Sequence, residues 1–196
     1  MSEQTPGQKR FEAFCRAHAL AWKRVPCGQE RTPDYEIDFG GHVVYFEIKD
    51  ITVDDQFTPS SGVRIVGKHV RSQIERAREQ ILTAARKRCP AVLLIFNAVD
   101  PYAQAFGTED HDFITAMYGE VTMAVNTTTN AVVESFFGKD HLLDKCKNTS
   151  FSGVGGFREG GNAIFMYENW FAKNKLPVAA LASVFNIRRV EVAGGV

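Results

Sequence analysis

The chain has 196 residues, 44% hydrophobic and 23% charged, the balance of one globular domain with room for a real core. Its 23 Lys and Arg offset 23 Asp and Glu, so no global field draws it to nucleic acid, and any such contact has to come from a local patch. Four widely spaced cysteines (Cys15, Cys27, Cys89, Cys146) form no CxxC pair, which speaks against a zinc module or disulfide framework and for a reducing cytoplasm. No apolar run resembles a signal peptide or is long enough to span a membrane.

In chain order, Thr5-Pro6 opens a predicted helix, with Thr5 as N-cap and Pro6 at the first helical position. The helix runs to about Leu20 and puts Phe11, Phe14, Cys15 and His18 on one stripe. His18 there reads as a partly buried core residue sooner than as a ligand. A short strand over 21–25 follows, then a loop over 26–31 in which Glu30 and Arg31 face water or touch substrate.

The stretch from Thr32 to Asp50 reads as a β-hairpin: two runs of β-branched and aromatic residues flank Gly40-Gly41. A two-residue loop pairs Phe39 with His42, and the same register sets Asp34 opposite Glu47 with Lys49 one pleat along. Tyr35, Ile37, Phe39, Val44, Phe46 and Ile48 then share the other face, ready to pack on a helix. Two opposed carboxylates about 5 Å apart repel unless they face water, share a proton or hold a cation. Mg²⁺ takes carboxylate oxygens and keeps several waters, and a lysine beside it can position one, so the hairpin is a candidate metal-hydrolysis site.

Residues 50–63 lose periodicity and read as a loop beside that site; Asp54 and Asp55 in it are solvated or ligate a metal. A helix is predicted from Gly67 to Arg88, with Val70, Ile74, Ala77, Ile81 and Ala84 on its apolar face. Arg86, Lys87 and Arg88 complement its C-terminal dipole, whereas Lys68 and Arg71 sit at the positive start, where a phosphate contact explains them better. Ala91 to Asn97 is a continuous apolar run, a buried central strand reached by a crossover through the helix.

Pro33-Asp34 followed by Glu47-Ile48-Lys49 resembles the signature of the PD-(D/E)XK nuclease superfamily, and the resemblance covers roughly the first half of the chain. It implies a restriction-endonuclease-like α/β fold: a three-layer core with a mixed central sheet flanked by helices, built in the order helix, three strands, helix, strand. It also implies Mg²⁺ (Mn²⁺ as substitute) held by Asp34, Glu47 and the Ile48 carbonyl, with Lys49 catalytic. Superfamily members often add an acid from the first helix, for which Glu12 is the candidate, its other reading being a solvated glutamate. Many also carry a polar residue on the helix after the signature, here Gln73, near the attacked phosphate or its water.

The second half carries fewer signals. A short helix over Asp110–Tyr118 and a hairpin over 120–137 are predicted. Phe151 to Asn162, with five glycines and no Gly-Lys-Ser/Thr ending, reads as a surface loop or a flap over substrate. A strand over 163–167, a helix over 176–185 and a final strand over 187–192 are expected to extend the sheet within a single domain, residues 1–196. The expected function is a Mg²⁺-dependent nuclease acting on DNA, as a homodimer or with a partner subunit because the length leaves little room for a target-recognition domain. The alternative is a non-catalytic module of the same fold that binds nucleic acid or protein.

Overall fold

A computed structural model describes residues 3–26, 28, 30–52, 65–98, 107–159, 163–190 and 192. Cys27, Asp54, Asp55, Gly160 and Gly161 lie outside them. The first half runs α1 (Pro6–Ala17), β1 (Trp22–Arg24), β2 (Tyr35–Asp38), β3 (Val43–Ile51), α2 (Lys68–Arg86) and β4 (Ala91–Asn97). That is the expected order of helix, three strands, helix, strand. The second half adds α3 (Asp110–Tyr118), β5 (Val121–Val125), β6 (Val132–Phe137), β7 (Gly153–Arg158), β8 (Phe165–Glu168), α4 (Val178–Leu181) and β9 (Asn186–Arg188).

The protein is α/β. A seven-stranded mixed sheet has the order β1-β2-β3-β4-β7-β8-β9, while β5 and β6 pair separately as a two-stranded ribbon. β1, β2 and β3 form an antiparallel meander, and α2 is the crossover that returns the chain parallel to β3 as β4. β7, β8 and β9 extend the sheet from β4. The helices make the outer layers. Phe11, Phe14 and Cys15 of α1 join Tyr35, Ile37, Val44, Phe46 and Ile48 in one core, on the apolar face the hairpin register assigns. Val70, Ile74, Ala77, Ile81 and Ala84 of α2 join Leu93, Ile95 and Phe113 in the other. No described helix is long and apolar enough to cross a membrane.

Six expectations change. α1 ends at Ala17, before Leu20, because Ala19 takes a left-handed backbone (φ 52°). The Leu20 and Ala19 amides then donate back to the Cys15 and Arg16 carbonyls at 2.9 and 3.1 Å, a Schellman closure. His18 is exposed, its ring lying against Phe14 with centroids 4.4 Å apart. Lys49 does not end its strand: Asp50 and Ile51 continue β3, pairing with Phe96 and Asn97. The glycine-rich stretch supplies β7, a strand in the middle of the sheet, in place of a loop or flap. A Cβ at Gly155 would overlap the Phe165 carbonyl, and one at Gly156 would come within 2.9 Å of the Phe113 ring, so close approach of the neighbours requires these glycines. The predicted 176–185 helix shrinks to α4, and the last strand to Asn186–Arg188.

Candidate active site at the β2–β3 hairpin

Gly40 and Gly41 both have positive φ (64° and 94°), as a tight hairpin turn with strand-matched twist requires. Phe39 N–H donates to the His42 carbonyl at 3.0 Å, closing the two-residue loop. From there Asp38 pairs with Val43, Ile37 with Val44, Glu36 with Tyr45 and Tyr35 with Phe46. One step further sets Asp34 opposite Glu47, the predicted register. Because hydrogen-bonded and non-hydrogen-bonded pairs alternate from Phe39–His42, this pair is of the non-hydrogen-bonded kind, in which side chains lie closer.

Asp34 sits at the mouth of the hairpin. Its Oδ2 accepts the Ile48 N–H at 2.8 Å, and its Oδ1 accepts Gln8 Nε2 at 2.8 Å. In an extended strand a residue's N–H and C=O face the same edge, so the Ile48 carbonyl faces the side from which Asp34 approaches. Glu47 is 3% exposed. Its Oε1 meets Lys49 Nζ at 2.6 Å, while its Oε2 is buried with no hydrogen-bond partner. Gln80 of α2, with its amide oxygen toward the lysine, accepts from Lys49 Nζ at 3.2 Å and donates to the Arg76 carbonyl at 3.2 Å.

The electrostatics follow from this packing. Burial first, and then the Asp34 charge, push the Glu47 carboxyl up to about 8, with Lys49 pulling the other way. Burial also raises Asp34, offset in part by the Ile48 amide, Lys49 and Gln8. Asp50 is raised by burial as well, although its Oδ2 accepts the Gly7 N–H at 3.2 Å at the start of α1. Two opposed carboxylates, one with an orphaned buried oxygen, form a pocket of negative charge short of positive partners. That donor set fits a hard divalent cation, with Asp34, Glu47 and the Ile48 carbonyl as the oxygens in reach.

The structure thus brings Asp34, Glu47, Ile48 and Lys49 together. Glu12 is occupied elsewhere. Its carboxylate takes Arg24 Nε at 2.8 Å, the Tyr35 hydroxyl at 3.0 Å and Gln4 Nε2 at 2.8 Å. Burial works to raise it, but the bonds from Arg24, Tyr35 and Gln4 win and hold it below the usual carboxylate range. Gln73 is buried on α2, one heptad before the Gln80 that reaches Lys49. Arg71 donates to the Val66 carbonyl at 2.7 Å and toward the Thr115 carbonyl at 3.4 Å, tying the start of α2 to α3. Lys68 stands about 18 Å of helix axis from the level of Gln80. Glu30 and Arg31 pair with Arg86 and Glu79 of α2, at 3.7 and 3.3 Å.

Three residues at the site carry no prediction from sequence: Gln8, Asp50 and Gln80. Gln8 had a local signal, since Thr5-Pro6-Gly7-Gln8 is a capping-box pattern and the box forms. A second acidic grouping, Glu109, His111 and Asp112, is the described set whose donor atoms cluster closely enough for a metal. Its oxygens are already in use at the start of α3. Asp112 Oδ1 accepts the Gly67 N–H at 2.8 Å and Oδ2 the Glu109 N–H at 3.1 Å, and Glu109 meets His111 at 3.2 Å.

The fold and site define an α/β domain with a hairpin-borne acid pair and lysine. Compared with protein families, curated proteins and solved structures, the chain matches none.

Proposed function

We propose that the protein is a divalent-metal-dependent nuclease of restriction-endonuclease-like fold that hydrolyses phosphodiester bonds of DNA. The observation that carries this is the orphaned buried oxygen of Glu47, on a carboxylate register-matched to Asp34 and in contact with Lys49. Opposed buried acids cost stability, and a cation between them removes that cost. Asp34, Glu47 and the Ile48 carbonyl would hold Mg²⁺, or Mn²⁺ in its place. When bound, the ion polarises the scissile phosphate and acidifies a water. Asp34 enters with its orientation fixed by two donors. Glu47 gives up the proton that burial favours and offers the cation its free oxygen. Lys49 orients the attacking water and stabilises charge developing on the phosphate. Lys68, at the positive start of α2, contributes a phosphate contact along the duplex. A homodimer or partner subunit would supply target selection.

A second reading is a non-catalytic module of the same fold that binds nucleic acid or protein. It draws on the Lys49–Glu47 contact at 2.6 Å, which partly satisfies the site without a metal. The two readings separate in one experiment: cleavage of plasmid and single-stranded DNA with Mg²⁺ or Mn²⁺, alongside calorimetric titration of the ion. The nuclease reading requires cleavage that chelation stops and that Asp34→Ala and Lys49→Ala abolish. Activity that persists in those variants sinks it, and an absence of ion binding favours the module.

A further inference from the structure

The first turn of α1 lies directly against the hairpin. Asp50 accepts the Gly7 N–H, and a Cβ at Gly7 would run into the Asp50 carboxylate and lie 2.8 Å from Phe96 Cβ. Gly7 therefore lets the turn sit directly on β3 and β4. The next residue is Gln8, and its amide has two fixed jobs. Oε1 accepts the Thr5 N–H at 3.1 Å, completing the capping box. That leaves Nε2, a donor only, and it donates to Asp34 Oδ1 at 2.8 Å. With the Ile48 N–H on Oδ2, the carboxylate is gripped at both oxygens. Each oxygen keeps a further lone pair for a cation.

We infer that Gln8 is a positioning residue: its amide fixes the Asp34 carboxylate in the orientation that meets the cation and adds no charge to the acids already there. The inference rests on the metal-site reading above. It assigns to a neutral amide the place where the first helix comes nearest Asp34, while Glu12, one turn on, is spent on Arg24 and Tyr35. The site then presents Asp34, Glu47 and Lys49, with Asp50 beside them accepting the Gly7 N–H. Partners that orient a metal ligand typically contribute about tenfold or more to metal affinity.

Calorimetric titration of Mg²⁺ into wild-type, Gln8→Met, Gln8→Glu and Thr5→Ala protein tests this. Gln8→Met removes the donor and is expected to weaken Mg²⁺ by about tenfold. Gln8→Glu keeps the capping-box acceptor but turns a carboxylate toward Asp34, and is expected to tighten Mg²⁺ by at least about tenfold. Thr5→Ala removes the cap from the Thr5 hydroxyl and its hydrogen bond to Asp50, leaves both donors on Asp34 in place, and is expected to leave the Mg²⁺ affinity within about twofold. A role confined to the helix cap predicts the reverse ranking: Gln8→Glu like wild type, and Thr5→Ala impaired as much as Gln8→Met. That pattern, or Gln8→Met and Gln8→Glu both within about twofold of a wild type that binds Mg²⁺, overturns the inference alone. A wild type that takes up no Mg²⁺ overturns the metal reading and this inference with it.

Discussion

Two groups of acidic side chains sit on this sheet's flank, and they differ in what their oxygens do. At the start of α3, Glu109, His111 and Asp112 lie close enough together for a metal, yet both Asp112 oxygens accept backbone amides and Glu109 pairs with His111. Those bonds satisfy helix-end N–H groups that would otherwise be orphaned. On the hairpin, Glu47 leaves one oxygen without a partner and is pressed by Asp34 from the opposite strand. Proximity of carboxylates is thus a poor guide to chemistry. The discriminating quantity is the number of buried lone pairs with nothing to accept, and by that measure the looser grouping is the candidate site.

The largest expected difference between the groups is in activity. On the nuclease reading, Asp34→Ala or Lys49→Ala should lower Mg²⁺-dependent cleavage by at least about a hundredfold, since the first would remove an ion ligand and the second the cation that steadies the reacting phosphate. Asp112→Ala should leave any cleavage by the folded protein within about twofold. Initial rates on plasmid DNA, normalised to folded protein, check both. A cleavage defect in Asp112→Ala matching that of Asp34→Ala would invert the comparison.

Next in size is a pH effect on the metal-free protein. The Glu47 carboxyl titrates at about 8 when folded, against an ordinary value of 4.5. Between those values the folded chain keeps a proton that the unfolded chain has lost. Stability in chelator should therefore fall as pH rises from about 4.5 to about 8 and level off above, by an amount of order a few kcal/mol. Glu47→Gln should flatten that slope, and denaturant melts at pH 5.5, 7 and 8.5 measure it. Stability that rises with pH across this window in wild type, or a slope unchanged in Glu47→Gln, contradicts the buried, proton-holding Glu47. In the same melts saturating Mg²⁺ should stabilise wild type by about 2.7 kcal/mol at a hundred times its Kd. Asp34→Ala should show no such gain.

The part of the site that rests on strand alternation was legible in the sequence. The hairpin register followed from Gly40-Gly41 and the period-two pattern, and the pairing of Tyr35 with Phe46 agrees with it. β4 was legible because a run buried on both faces is apolar without interruption, here from Ala91 to Phe96. β7 was not. Strand propensity measures how side chains pack on a pleated surface, and Gly155 and Gly156 have none; the strand exists because β4 and β8 pair with it and Phe113 packs over it. Nor could local pattern place Gln80 on Lys49, seat Gln8 on Asp34 or divert Arg71 to carbonyls. Those contacts depend on how a helix settles on a sheet, which spacing within the helix does not record. Asp50 was lost for a related reason: the end of β3 is set by pairing with Phe96 and Asn97, far along the chain.

The smallest predicted effect bears most directly on the difference between the two acidic groups. If the Glu109–His111–Asp112 oxygens are spent on the chain itself, Asp112→Ala should cost about 2 kcal/mol, because two backbone N–H groups lose their acceptor. That cost should be the same with and without Mg²⁺, because no ion is displaced. His111→Ala should cost no more than about 0.5 kcal/mol, since the ring is half-exposed and its partner Glu109 is not buried. Both values come from melts run on an Asp34→Ala background, where the hairpin no longer takes metal and any residual response to added Mg²⁺ or Zn²⁺ belongs to the second group. A thermal shift with either ion on that background, lost again in Asp112→Ala, would show that the α3 grouping has lone pairs to give and that counting unsatisfied oxygens had picked the wrong cluster.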